Sequence, residues 1–553
     1  MKAHNATQHG KGRRLAIGVA TLLLAMGATT ASKASAAPSD RVTAKKVSMP
    51  LGSMYRVVDQ IGARDLWEEG YTGAGINVAL IDTGFAPVPE LLDNGKIIAA
   101  VDLSGEAGVP EARFIDNYGH GTHMAGIIAG STPGADAEDA KKHPEWFMGV
   151  APDAGIVSVK VADNTGGADI TQVIAGIDWV VANRDALNIR VLNLSYASGS
   201  SLPYATDPLT AAIERAWQAG VVVVVAAGND GNESHRLASP AIDPYVIAVG
   251  AAEATADRTF TVPDWASSGD GTRNPDVAAP GAHIDSLRAP LSRVDVEHPE
   301  GYISESIFRG SGSSQAAAVV TGAVALLLDA RPNLNPDQVK FLLKSNTLNT
   351  SPRNPIYSGS GVIQIDQAAE QKVSAKKALQ TWPLSTGDGS LEAARGDLHL
   401  VVNGVVIQGE VTVLGSTWDP YFSGTRWTGG TWDGTRWTDG SWMGTRWTTS
   451  TWTGTRWTGT RWTDGVWNGT RWTGTRWTGT RWTNDAWSSD SWTGTRWTGT
   501  RWTDDAWAAA IWDGTRWTGT RWTGTRWTGT RWTGTRWTGT RWTTNLWSGE
   551  VWE

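Results

Sequence analysis

Four residues of this 553-residue chain stand where their chemistry could be used. Asp82 closes the apolar run of "ALIDTGFAP", which would bury its carboxylate, and Gly84 lets the chain turn away. His120, in "DNYGHGTHMAGIIAG", sits where a loop enters a helix. Behind it, Ala125, Gly126, Ala129 and Gly130 are small enough for a second helix to approach. Asn229 follows Gly228 at the end of "VVVVVAAGNDG", where its amide can form a turn or face a developing negative charge. Ser314, in "FRGSGSSQAAAVVTGAVALLL", begins an apolar helical stretch, beside free backbone N–H groups and the positive end of a helix dipole. A serine so placed can attack a substrate, and an imidazole, a carboxylate and an amide are the groups such an attack uses. Each residue also has a plainer reading: turn aspartate, helix cap, turn former, N-cap serine. The His120–His123 spacing suggests metal, but no HExxH pattern is present to make a zinc site of it.

The elements that must position these residues are legible between about residues 55 and 370. "INVALIDTG", "GIVSVKVAD", "VLNLSY", "VVVVVAAGND" and "YVIAVGAAE" are short β-branched or apolar runs that end in turn residues. Helical patterns lie between and after them. "DITQVIAGIDWVVANRD" has capping-box spacing at Asp169 and Gln172, and "DPLTAAIERAWQAG" has Gly220 as a stop. "NPDQVKFLLKS" has Asn335 as N-cap with Pro336 in the first helical position. Strands buried on both faces and alternating with helices predict a mostly parallel α/β sheet with helices on both faces. Reactive groups then belong beyond the carboxyl ends of the strands.

The order Asp, His, Asn, Ser differs from the chymotrypsin and α/β-hydrolase orders and agrees with that of subtilisin. "IDTG", "GHGTHMAGIIAG", "GVAPDAGIVSVKV", "VLNLSY", "VVVVVAAGND", "PDVAAPG" and "GSSQAAAVVTGAVALL" resemble, in order, the motifs of subtilases, the subtilisin-like serine endopeptidases. The resemblance covers roughly residues 55 to 345 and implies the subtilisin-like fold. It also implies that Asp82 and His120 are the acid and base, Ser314 the nucleophile and Asn229 the oxyanion donor. Ser195, Tyr196, Ala197, Ala226, Ala227 and Gly228 would line the pocket for the residue before the cut. Tyr196 and Ala197 replace the family's frequent leucine and glycine and could narrow it. Gln315 and the residues after it depart from the family's commoner sequence but stay small enough for helix packing. The family's calcium loop is not recognisable. "STPGADAEDAKKHPEWFMG" takes its place, acidic enough for calcium yet equally a solvated loop. The stretch ahead of the peptidase domain is short for a folding propeptide.

Residues 1–36 read as a signal peptide. Lys2, Lys11, Arg13 and Arg14 precede an apolar stretch, and Ala34-Ser35-Ala36 offers small residues for cleavage. A short linker, 37–54, leads into the peptidase domain at 55–370. There is no cysteine, so disulfides, thiolate metal sites and cysteine nucleophiles are excluded together. Residues 371–422 read as a polar linker with a small hairpin turning at Asn403-Gly404. In residues 423–553 tryptophan recurs every fifth position from Trp427 to Trp552, 26 times, and arginine precedes 16 of them. That segment carries a surplus of six positive charges and leaves the rest of the chain at −13, a balance that argues against nucleic acid as a partner of the globular part. A period of five suits neither an amphipathic helix nor a one-faced strand, so short broken strands, a β-solenoid or a low-complexity tail remain as readings. Its aromatics could stack on cell-wall sugars, and its Arg-Trp alternation could rest on an anionic membrane surface. Two functional readings follow. The first is a secreted serine endopeptidase acting on polypeptides, with an attachment or spacer repeat. The second is a non-catalytic surface-binding or structural protein on a peptidase-like scaffold.

Overall fold

The computed structural model describes residues 49–418, apart from Arg258, Asn403 and Ser416, and short strands between residues 426 and 543. Residues 1–48, on which the export-signal reading falls, lie outside the described residues. The predicted β-branched runs form β1 (Asn77–Asp82), β3 (Gly155–Lys160), β4 (Ile189–Leu194), β5 (Val222–Ala226) and β6 (Ile247–Ala254). They are joined by β2 (Ile97–Asp102), β7 (Phe260–Thr261), β8 (Val277–Pro280), β11 (Thr347–Leu348) and β12 (Val362–Ile363). These ten make one sheet, ordered β11-β12-β8-β6-β5-β4-β1-β3-β2, with β7 paired to β6. Every pairing from β12 to β2 is parallel; β11 and β7 run antiparallel at the margins. A separate antiparallel pair, β9 (Ile284–Leu287) with β10 (Ile307–Gly310), delivers the chain to the serine turn.

Both faces of the sheet are covered, as the doubly buried strands require. The helices that matter are α1 (His120–Ala129), α2 (Ile170–Asn183), α3 (Pro208–Gln218), α4 (Ser313–Ala330) and α5 (Pro336–Ser345). Thr321 of α4 donates to Asn193 of β4 at 2.8 Å on one face. Gly176 of α2 lies over Ile81, Val159 and Val161 on the other, where an added Cβ would come within 3.2 Å of the valines. The caps form as their spacing predicts, with reciprocal boxes at Asp169–Gln172 and Asn335–Gln338. Helix α4 is apolar and long enough to cross a membrane, but 83% of it is buried inside the protein, which makes it a core helix. Near its end, Asp329 accepts the N–H groups of Thr72, Gly73 and Ala74 at 3.0, 3.0 and 3.2 Å.

The Lys340 ammonium of α5 donates to the carbonyls of Pro244, Tyr245 and Val246 at 2.5, 3.3 and 2.7 Å and lies 3.1 Å from Asp276 Oδ2. Burial drives its pKa down to about 7, against the pull of Asp276. The site is a cage of oxygens filled by a tethered cation. Replacing Lys340 by methionine leaves three inward carbonyls and part of a carboxylate unpaired, a class of change that costs about 3–5 kcal/mol. Lys340→Met should lower the urea midpoint accordingly at unchanged slope, and an unaltered midpoint would contradict it.

The stretch read from composition as a polar linker is built onto this domain. It contains α6 (Leu391–Arg395) and a hairpin of β13 (Val401–Val402) with β14 (Val405–Val406) at the predicted place. Thr386 and Gly389 donate to the carbonyls of Ala205 and Thr206, both at 2.8 Å. Beyond it, the tryptophan region contributes short parallel strands in register, Arg426 opposite Arg446 and Trp527 opposite Trp542 among them. Partners lie 15 or 20 residues apart, whole multiples of the five-residue repeat, so one tryptophan position falls opposite another. The guanidinium–indole stacking expected there lies outside the described side chains.

Candidate active site

The sheet order reverses around β1: the chain reaches β3 on one side of it and β4 on the other. Side chains at the carboxyl ends of β1 and β4 therefore face a crevice, the place where open α/β sheets bind ligands. Asp82 ends β1 and is 7% exposed. Its Oδ1 lies 2.8 Å from His120 Nδ1 and also accepts the Thr83 N–H at 2.8 Å. The approach of these two segments depends on glycine. A Cβ on Gly121 would sit 2.3 Å from the Gly84 carbonyl, and Gly84 itself has φ +108°, a conformation other residues rarely adopt.

A second carboxylate, which sequence reasoning did not single out, holds His120 in place. Asp116 is buried and accepts four hydrogen bonds: Thr83 Oγ1 at 2.7 Å, Gly119 N at 2.6 Å, Thr122 N at 2.7 Å and Thr122 Oγ1 at 2.6 Å. Thr83 Oγ1 in turn accepts the Gly121 N–H at 2.8 Å. The free N–H groups of the first turn of α1 are thereby satisfied from two sides. The signal was an aspartate followed three residues later by a glycine at a helix entrance.

Burial is the largest influence on the His120 imidazole and by itself would depress its pKa. The charge and hydrogen bond of Asp82, joined by the charge of Asp116, outweigh it and hold the pKa above the ordinary histidine value. His123, one turn on, has no such partner. Burial and the neighbouring His120 push it down to about 3, so it stays neutral, its Nε2 buried and unbonded. The two histidines spaced like ligands thus differ: His120 is paired with a carboxylate, and His123 is a packed neutral ring.

The three serines of the turn separate cleanly. Ser311 Oγ accepts the His283 N–H at 2.8 Å, and Ser313 Oγ accepts the Gly228 N–H at 3.1 Å. Ser314, half-buried as the second residue of α4, makes no side-chain hydrogen bond among the described residues, His120 included. Such bonds are often long before substrate arrives and tighten in the complex. Asn229 is exposed just past β5, and its Oδ1 accepts the Ser313 N–H at 2.9 Å. That bond fixes the amide, so Nδ2 is the end left to donate; a Cβ on Gly312 would come within 3.4 Å of it.

The residues expected to line the pocket fall into two segments. Ala226, Ala227 and Gly228 are buried at the end of β5, with Gly228 at φ +118°. Ser195, Tyr196 and Ala197 follow β4. Ser195 Oγ donates to the Ser314 carbonyl at 3.4 Å, the Tyr196 hydroxyl reaches the Ala168 carbonyl at 3.4 Å, and Ala197 is exposed. Burial, then the carboxylates of Asp169 and Asp207, raise the Tyr196 phenol far above its usual range, so it remains protonated.

The acidic loop weighed for calcium does not converge. Asp136 accepts the Glu138 N–H at 2.9 Å, Asp139 pairs with Lys142 at 2.5 Å and Glu145 with His143 at 2.8 Å. Among the described residues no three His, Cys, Asp or Glu side chains gather to hold a metal ion.

A parallel sheet clad on both faces, with an aspartate–histidine pair at its switch point and a serine helix beside it, defines an α/β domain of the serine-peptidase class. Residues 73–379 match the model of the subtilase family, Peptidase_S8. The serine protease AprX of Bacillus subtilis (strain 168) is 36% identical over 310 residues, 54% of this chain and 66% of its own. Subtilisin E of the same strain is 32% identical over 328 residues, 58% of this chain and 72% of its own. The solved structure of fervidolysin from Fervidobacterium pennivorans aligns with a TM-score of 0.46 at 29% identity, covering 57% of this chain and 46% of its own. The chain belongs to the subtilase family.

Proposed function

We propose that the protein is a serine endopeptidase that cleaves polypeptides through Asp82, His120 and Ser314. In this reading neutral His120 removes the Ser314 proton as the hydroxyl attacks a peptide carbonyl, then passes it to the leaving amine. Asp82 holds the imidazole tautomer that leaves Nε2 free to accept, and stabilises the cation that forms. Asn229 Nδ2 and the Ser314 N–H hold the oxyanion, while the segments 195–197 and 226–228 carry the residue before the cut. Water then releases the acyl group by the same proton path. The observation that carries the reading is the 2.8 Å bond between His120 Nδ1 and Asp82 Oδ1 at the carboxyl edge of the sheet. Labelling the full chain with a fluorophosphonate and mapping the modified residue tests it. A label on Ser314, with loss of casein hydrolysis, is expected; an unlabelled Ser314 in a protein that still cleaves casein contradicts the mechanism, and an inert protein supports the scaffold reading instead.

Asn229→Ala should leave labelling detectable and KM nearly unchanged while kcat falls by about 10²–10³, a scale set by measurements within this same family. A rise in KM at constant kcat would move Asn229 from the oxyanion to ground-state binding. The basic–apolar–small pattern of residues 1–36 supports export. The regular tryptophans support attachment to cell-wall sugars or an anionic membrane surface. Sedimentation with insoluble peptidoglycan and with anionic vesicles, before and after truncation at residue 422, distinguishes the two, and equal binding by both forms removes either.

A further inference from the structure

Arg395 is among the most deeply buried large side chains of the protein, 1% exposed, although it lies in a stretch whose composition reads as linker. It ends α6, and each of its three guanidinium nitrogens donates a hydrogen bond. Nε donates to Asp169 Oδ2 at 2.6 Å, Nη1 to the Gly409 carbonyl at 2.6 Å and to Glu392 Oε2 at 3.3 Å, and Nη2 to the Val411 carbonyl. Asp169 is the N-cap of α2 and the last residue of the loop that follows β3; its other oxygen accepts the Thr171 N–H at 2.9 Å. Val413 closes the arrangement by donating to Thr171 Oγ1 at 3.2 Å. The same short helix also clasps the segment after β4. Ser201 N donates to the Ala393 carbonyl at 3.2 Å, and Gly396, at φ +63°, crosses Gly199 so closely that a Cβ on it would lie 2.1 Å from the Gly199 carbonyl. Tyr196 bridges the two loops through its hydroxyl to Ala168.

Arg395 thus anchors α6 to the loop 163–169 through Asp169, while the backbone of Ala393 and Gly396 holds the loop 195–201; the two loops leave the carboxyl ends of β3 and β4, the strands on either side of β1. The second of these begins at Ser195, whose hydroxyl touches the carbonyl of Ser314. We propose that Arg395 is a positioning residue for substrate: by locking these loops from outside, it sets the width of the channel that receives the peptide ahead of the scissile bond. The inference rests on the peptidase reading above. It does not place Arg395 in contact with substrate. It makes residues 385–413 part of the peptidase's binding apparatus.

The test uses the full chain and the variants Arg395→Met, Arg395→Lys and Gly396→Ala. Each is assayed with a tetrapeptide amide and a single-residue ester, and by its rate of fluorophosphonate labelling. Arg395→Met should raise KM for the tetrapeptide by about tenfold or more, with kcat, the ester KM and the labelling rate within about threefold of the parent. Lysine, which keeps the Asp169 pair but cannot span both carbonyls, should recover part of the loss. Gly396→Ala, which forces the crossing apart with Arg395 intact, should reproduce the effect and serves if Arg395→Met does not fold. Unchanged tetrapeptide KM in labelled variants overturns the inference. So does a parallel fall in labelling, ester and peptide turnover, which marks a strut of general stability. A parent that takes no label on Ser314 overturns the site reading itself and the inference with it.

Discussion

Ser314→Ala should lower kcat on casein by about a millionfold, the scale on which loss of the nucleophile falls in enzymes of the subtilisin type. The effect should appear in kcat rather than KM, because the hydroxyl reacts only as the transition state forms and its removal leaves the substrate surface intact. Stability should change by less than about 0.5 kcal/mol, as for substitutions away from structural features, since Ser314 Oγ has no partner among the described residues to lose. Its two neighbours provide the control. Ser311→Ala and Ser313→Ala each remove a hydroxyl that accepts a backbone N–H, from His283 and Gly228, and should cost stability while sparing most of the chemistry. A Ser314→Ala protein that still cleaves casein at the parental rate, free of contaminating protease, would end the assignment.

Asp82→Asn should cost about 10⁴ in kcat with the fold retained. An amide in this place can donate to Nδ1 and so favours the tautomer whose proton is on Nε2, which cannot accept from serine. The pH profile gives a second, independent readout. In the proposed mechanism His120 must be neutral to act, and its pKa, raised above the ordinary histidine value by Asp82 against the pull of burial, sets the acid limb on which activity falls as pH drops. With Asp82 neutral, the burial that opposes the charged ring is resisted by Asp116 alone, so the pKa falls. The acid limb of the residual kcat/KM should therefore move to lower pH. A profile that stays in place, or moves upward, would show that Asp82 does not govern the imidazole.

The strands and the caps were legible because each rests on short-range chemistry. β5 is five residues, four of them valine, bounded by a Gly-Asn turn, and Asp169 and Asn335 announce their helices by a partner three residues on. Other parts are written in interactions that composition conceals. β9 and β10 are four-residue strands whose ladder links residues 20 to 26 positions apart, and neither has a repeating apolar pattern. Asp116 looks like any loop aspartate until Gly119, at φ +112°, turns the backbone so that four donors meet it. The 371–422 stretch reads as linker because much of what anchors its described part is polar, with only Leu391 and Ala394 of its helix α6 reaching the main core. Arg395 is buried by pairing with Asp169 and two carbonyls, which satisfies a charge without any hydrophobic signature.

The bond from Thr72 to Asp329 spans 257 residues, and strands β11 and β12 at one margin of the sheet are made only after Asp82, His120, Asn229 and Ser314. Loop closures of that length are slow to form and give no return until the distant partner arrives. A nascent chain of this protein therefore carries a serine, an imidazole and a carboxylate as separate, harmless groups through most of its synthesis. Under the proposed mechanism, cutting power would then emerge only as the sheet that spaces these groups closes, a delay that shields incomplete copies from one another.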